Sequence, residues 1–83
     1  MFIANLKTEM SEDLNRIKVV LVEKKRTSKW LAEKMGKDPA TVSKWCTNKA
    51  QPNVATLVEI ARCLEVDTKD LLRSINEIDE IER

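Results

Sequence analysis

Histidine and tyrosine are absent from this 83-residue chain, and glycine occurs once. With no constellation of carboxylates or nucleophiles to replace them, the sequence offers no acid–base or covalent machinery and does not read as an enzyme. The two cysteines, Cys46 and Cys63, lack metal-ligand spacing and have no histidine to join them. In a reducing compartment they are expected as small buried hydrophobes, so neither a metal nor a cofactor is expected. No apolar stretch is long enough to span a bilayer, and there is no internal repeat or low-complexity run. The opening MFIANLK lacks the basic n-region and long apolar h-region of a signal peptide, so the expected location is the cytoplasm. Strand signals are also missing. Phe2-Ile3-Ala4-Asn5-Leu6 is the one candidate for a short strand or packing arm.

What is present is charge and helical patterning. A chain of this length makes one domain with a modest core and little room for a deep pocket. Charged residues are 35% of the total and the net charge is only +1. Their order along the chain says more than their sum. Residues 1–15 carry a net −2 and residues 51–83 a net −4, while residues 16–50 hold ten basic and three acidic side chains, a net +7. A basic block of this kind points to a polyanion on one face.

Apolar spacing predicts five helices. The first starts near Ser11, with Ser11 or Asp13 as its cap, carries Leu14, Ile17, Val20 and Leu21 inward, and holds Lys24, Lys25 and Arg26 in its last turn. Thr27 or Ser28 caps a second helix running to about Met35. Gly36 then supplies the left-handed residue a tight turn needs. Asp38 caps a third helix, Pro39 fits its first turn, and Asn48 ends it. After a loop over residues 48–52, Asn53 caps a fourth helix with Val54, Leu57, Val58, Ala61 and Leu64 on one face. Asp67 caps a short fifth helix carrying Leu71 and Leu72. The tail SINEIDEIER spaces Ile75, Ile78 and Ile81 by three among acids, and either extends the fifth helix or forms a sixth. The expected organisation is an N-terminal arm (1–10), a helical domain (11–74) and an acidic helical tail (75–83). Within it, SKWLAEKMGKDPATVSKWCT over residues 28–47 has the layout of a DNA-binding helix-turn-helix, two short helices at a steep angle about one glycine.

Residues 14–72 resemble the Cro/cI-type helix-turn-helix of phage and bacterial repressors, also called the xenobiotic-response-element family. The carrying residues are Leu31-Ala32, Gly36, Val42-Ser43-Lys44-Trp45, Pro52, Leu57 to Leu64 and Asp67 to Leu72. The resemblance implies a compact, all-α, five-helix lambda-repressor-like domain that binds double-stranded DNA through its third helix, usually as a homodimer on a two-fold operator. The chain departs from the pattern at several places. Thr27 and Ser28 stand where Thr-Gln is common. Leu21 and Cys46 stand where the family often has an arginine–glutamate pair, so packing is expected to replace an ion pair. Asn48 stands where a glycine is usual.

The candidate DNA-contacting residues are Ser28, Lys29, Lys37, Ala40, Thr41, Ser43, Lys44, Thr47 and Lys49. Lys44 has the reach for guanine O6/N7 or a phosphate. Thr41 and Ser43 have hydroxyls for a phosphate or a base edge. Ser28 and Lys29 open a helix whose free N–H groups favour an anion, and Lys49 and Lys37 lie in flanking loops. Pro39 and Ala40 cannot make bidentate base contacts. Arg16 and Lys18 are peripheral contacts or merely solubilising. Trp45 belongs to the core, and Trp30 either packs on the first helix or lies at an interface. Two further readings stay open. The tail isoleucines Ile75, Ile78 and Ile81 either fold back on the domain or, with Phe2, Ile3 and Leu6, carry self-association. Alternatively, the chain is an antitoxin-like or regulatory subunit whose acidic tail binds a basic protein partner.

Overall fold

A computed structural model describes residues 13–82, with side chains described to residue 78. The described chain is all-α. Its elements are α1 (Ile17–Glu23), α2 (Ser28–Met35), α3 (Pro39–Cys46), α4 (Val54–Leu64), a 3-10 turn over Thr68–Leu71, and α5 (Ile75–Glu82). None of the described helices is long and apolar enough to cross a membrane.

Short polar side chains set the starts of three helices. Thr27 accepts from the Trp30 N–H, Asp38 from Ala40 and Asn53 from Thr56, each satisfying a donor that has no intrahelical partner. The ends follow one scheme. Gly36 takes φ 67°, and the next N–H, that of Lys37, bonds back to the Ala32 carbonyl at 2.9 Å. The same back-bond joins Arg26 to Leu21, Lys49 to Lys44 and Val66 to Ala61, with Lys25, Asn48 and Glu65 in the left-handed position at φ 59°, 62° and 59°.

That conformation costs an L residue about 1–2 kcal/mol, and glycine escapes most of it. The Glu65 side chain makes no hydrogen bond or ion pair among the described residues. Glu65→Gly is therefore expected to raise stability by about 0.5–1 kcal/mol, read as a higher Tm in a circular-dichroism melt. An unchanged or lower Tm would refute the strain argument at this site.

The core is one cluster. Ile17, Leu31, Val42, Ile60 and Leu71 are fully buried, joined by Val20, Leu21, Trp45, Leu57 and Leu64. Leu21 and Cys46, the positions expected to pack where the family has an ion pair, both lie in it. Cys46 is buried, Cys63 half-buried, and both thiols are free. Burial pushes the Cys46 thiol up from its ordinary value, with a smaller opposing pull from Lys18.

Three expectations need correction. The helix expected to start near Ser11 begins at Ile17, and Asp13 does not cap it. Ser11 and the Phe2–Leu6 stretch lie outside the described residues. The cause is a long-range pairing. Arg16 N–H donates to the Leu71 carbonyl at 2.7 Å and Arg73 N–H to the Leu14 carbonyl at 3.0 Å, bridging Asn15 to Leu72 and keeping residues 14–16 out of the helix. Leu14 thereby leaves the inward stripe and is exposed. Second, α1 stops at Glu23, so Lys24, Lys25 and Arg26 lie beyond it rather than in its last turn. Third, the segment after Asp67 is a single 3-10 turn closed by reciprocal bonds between Asp67 and Asp70, not an α-helix. It buries Leu71 but leaves Leu72 extended and exposed.

The tail then starts a helix of its own. Ser74 N–H donates to the Glu77 carboxylate, and Glu77 N–H donates to the Ser74 hydroxyl. The backbone bond from Ser74 holds the Glu77 carboxyl below its ordinary range.

Candidate nucleic-acid interface

The two faces of α3 divide cleanly. Val42, Trp45 and Cys46 are buried, while Ala40, Thr41, Ser43, Lys44 and Thr47 are exposed. The helical period forces this division. Residues 42, 45 and 46 fall on one side, and the intervening positions turn outward. The Thr47 hydroxyl donates back to the Ser43 and Lys44 carbonyls at 3.1 and 3.3 Å. It therefore offers a ligand its oxygen lone pair and its methyl, not its proton.

The crossing of α2 over α3 brings separated candidates together. Ser28, Ser43 and Thr47 line one shallow cleft of about 280 Å³ with Lys18, Arg26 and Thr27. Ser28 and Lys29 open α2, where the first N–H groups have no intrahelical acceptor. The Thr27 side chain satisfies only the N–H of Trp30. The positive end of the helix and the cations Lys18 and Arg26 thus converge on the hydroxyls of Ser28 and Ser43. That arrangement suits a phosphate. Lys29, Lys37, Ala40, Thr41, Lys44 and Lys49 are exposed around it but do not line the cleft. None of these lysines has a carboxylate within ion-pair distance among the described residues, where both ion pairs belong to Arg73. Arg16 is otherwise engaged, its guanidinium donating to the Asp70 carbonyl at 3.2 Å.

Two features escaped sequence reasoning. The first is Arg26, expected only as a helix-end cation. It lies over the Trp30 ring at 4.6 Å from the centroid and reaches the cleft. Its neighbour Trp30 is half-buried and packs against the core. The second is a buried polar knot that holds the end of α3. The Asn15 amide donates to the Trp45 carbonyl at 2.9 Å and to Gln51 Oε1 at 2.8 Å, and its oxygen accepts from the Ile17 N–H. Asn48 Oδ1 accepts from the backbone N–H groups of Leu14 and Asn15, and its amide donates to Asp13 and to the Asn15 carbonyl. Asn15 falls inside the first helix as the sequence predicts it, where nothing marks it for this role. No local signal ties it to residues 30 to 36 positions away.

A family model described as helix-turn-helix matches residues 17–71. The fold is also similar to the crystal structure of a candidate DNA-binding protein from Bacteroides fragilis, with a TM-score of 0.71 and 57% identity, covering 72% of this chain and 97% of the other. No curated protein matches the chain.

Proposed function

The chain belongs to the Cro/cI-type helix-turn-helix family, and from that premise we propose that it is a transcriptional regulator that binds double-stranded DNA as a homodimer and represses by occluding a promoter. In this reading α3 lies in the major groove. Thr41, Ser43 and Lys44 face base edges and phosphates, with Ala40 and Thr47 supplying close apolar contact. Ser28 and Lys29 clamp one phosphate, and Lys37 and Lys49 grip those on either side. The observation that carries the reading is the cleft in which the α2 start and the α3 outer face meet, with Lys18 and Arg26 beside the hydroxyls of Ser28 and Ser43. The likeness to a candidate DNA-binding protein supports the same partner. Dimerisation follows from arithmetic. One small module with few base contacts discriminates poorly, and two half-sites about one helical turn apart supply the missing specificity.

The test is selection of bound sequences from a random duplex library at physiological salt, wild type against Lys44→Ala. Wild type is expected to enrich a two-fold-symmetric motif. Lys44→Ala is expected to bind it about tenfold more weakly, with a shallower salt dependence if Lys44 meets a phosphate and a relaxed motif if it meets a base. A folded wild type that enriches nothing would overturn the reading. The helix-turn-helix would then be a scaffold, and the antitoxin-like alternative would stand in its place.

A further inference from the structure

A second cationic cleft, of about 400 Å³, lies between the turn after α1, the helix α2 and the C-terminal end of α4. Lys24, Arg26, Lys34 and Arg62 line it around the half-buried Trp30 and the end of α4, against one carboxylate, Glu65. None of the four cations is ion-paired among the described residues. Only Arg26 has a described partner, the Trp30 ring. Three of the four, Lys24, Lys34 and Arg62, have no part in the proposed DNA contacts. The fold thus gathers positive charge beside the Trp30 indole, and the nucleic-acid reading assigns Lys24, Lys34 and Arg62 no work.

The same chain carries the complement. α5 joins the rest through an extended stretch, and Ile75 at its start is 69% exposed. Its sequence places isoleucines at 75, 78 and 81 and carboxylates at 77, 79, 80 and 82. Positions spaced by three share a helix face. The sequence of this helix thus combines isoleucines with carboxylates, a charge complementary to that of the cleft.

We propose that α5 of one copy docks in the Trp30 cleft of a second copy, and the second returns its own α5 to the first. Reciprocal exchange gives two identical contacts related by a two-fold axis, a closed arrangement that does not propagate. Isoleucines cover the indole, while the carboxylates meet Lys24, Lys34 and Arg62. This rests on the dimeric reading above and names the surface that makes the dimer.

The test uses the full chain without DNA, with molecular mass read by sedimentation equilibrium and folding checked by circular dichroism. One variant reverses the cleft (Lys34→Glu with Arg62→Glu). The other reverses the tail (Asp79→Lys, Glu80→Lys and Glu82→Lys). Each alone opposes like charges at both contacts, so its dimer is expected to dissociate at least about tenfold more readily than wild type. Mixed in equal amounts, each variant's tail meets the other's cleft with opposite charge, and a heterodimer of near wild-type affinity is expected. Variants that dimerise as wild type does, or a mixture that stays monomeric while both components are folded, would overturn this inference and leave a dimer formed elsewhere intact. A wild type that is monomeric at the highest attainable concentration would overturn the dimeric reading and this inference with it.

Discussion

Replacing Asn15 by alanine is expected to lower the stability of the fold by about 2–4 kcal/mol. The side chain is 2% exposed and holds three bonds at once, to the Trp45 carbonyl, to Gln51 and from the Ile17 N–H. Alanine removes all three and brings no water to the orphaned groups. Each buried donor or acceptor left unsatisfied costs about 1–3 kcal/mol. The first N–H of α1 is of that kind, and the Trp45 carbonyl loses one of its two donors, keeping only the Asn48 N–H at 3.1 Å. Urea denaturation followed by far-ultraviolet circular dichroism measures the loss as a lower midpoint at unchanged slope. A change below about 0.5 kcal/mol, the usual surface value, would show that the knot is decorative.

The second large effect is expected on the inner face of α3. Trp45→Ala removes the largest side chain of the core, 8% exposed, from a helix anchored by only two other buried residues, Val42 and Cys46. Loss of a buried tryptophan costs about 3–5 kcal/mol, against a total of about 5–15 kcal/mol for a typical domain. A chain of this length sits near the low end of that range. The variant is expected to melt without a cooperative transition near physiological temperature. Trp30 remains as a fluorescence reporter of residual structure. Lys44→Ala, one residue away on the exposed face, is expected to change stability by less than about 0.5 kcal/mol. The contrast between neighbours separates what holds α3 from what α3 presents. If Lys44→Ala destabilised the chain as Trp45→Ala does, the division of faces would be wrong.

Much of the fold was legible because its determinants are local. Thr27, Asp38, Asn53 and Gly36 act within three or four residues of themselves, and the apolar period of α2 and α3 runs through unbroken; in α4 it misplaced Val54, which is 74% exposed, and passed over Ile60, which is fully buried. What was illegible depends on partners far along the chain. Leu14 fits the period of α1, yet backbone pairing with residues 71–73 pulls it out. The stop at Lys25 was hidden because lysine carries no left-handed signal, and Glu65 was hidden for the same reason. Asn48 was readable, since asparagine tolerates that conformation, but its grip on Asp13 and Asn15 was not.

Among the candidate contact residues, outward placement on α3 followed from periodicity. The meeting of Ser28 with Ser43 and Thr47 did not, because it depends on the angle at which α2 crosses α3. Arg26 reaches the same cleft from beyond α1, a position that only the early end of that helix allows.

The knot at Asn15 and Asn48 also bears on the thermodynamics of recognition. The last turn of a short helix ordinarily frays, and a ligand that needs it ordered must supply that entropy on binding. Here the carbonyl of Trp45 and the side chain that follows Thr47 are tied to a segment thirty or more residues earlier. The disorder of that turn is surrendered once, when the chain folds. A partner meeting the outer face of α3 finds its final turn already fixed, so little of its binding free energy is diverted to ordering the helix it reads.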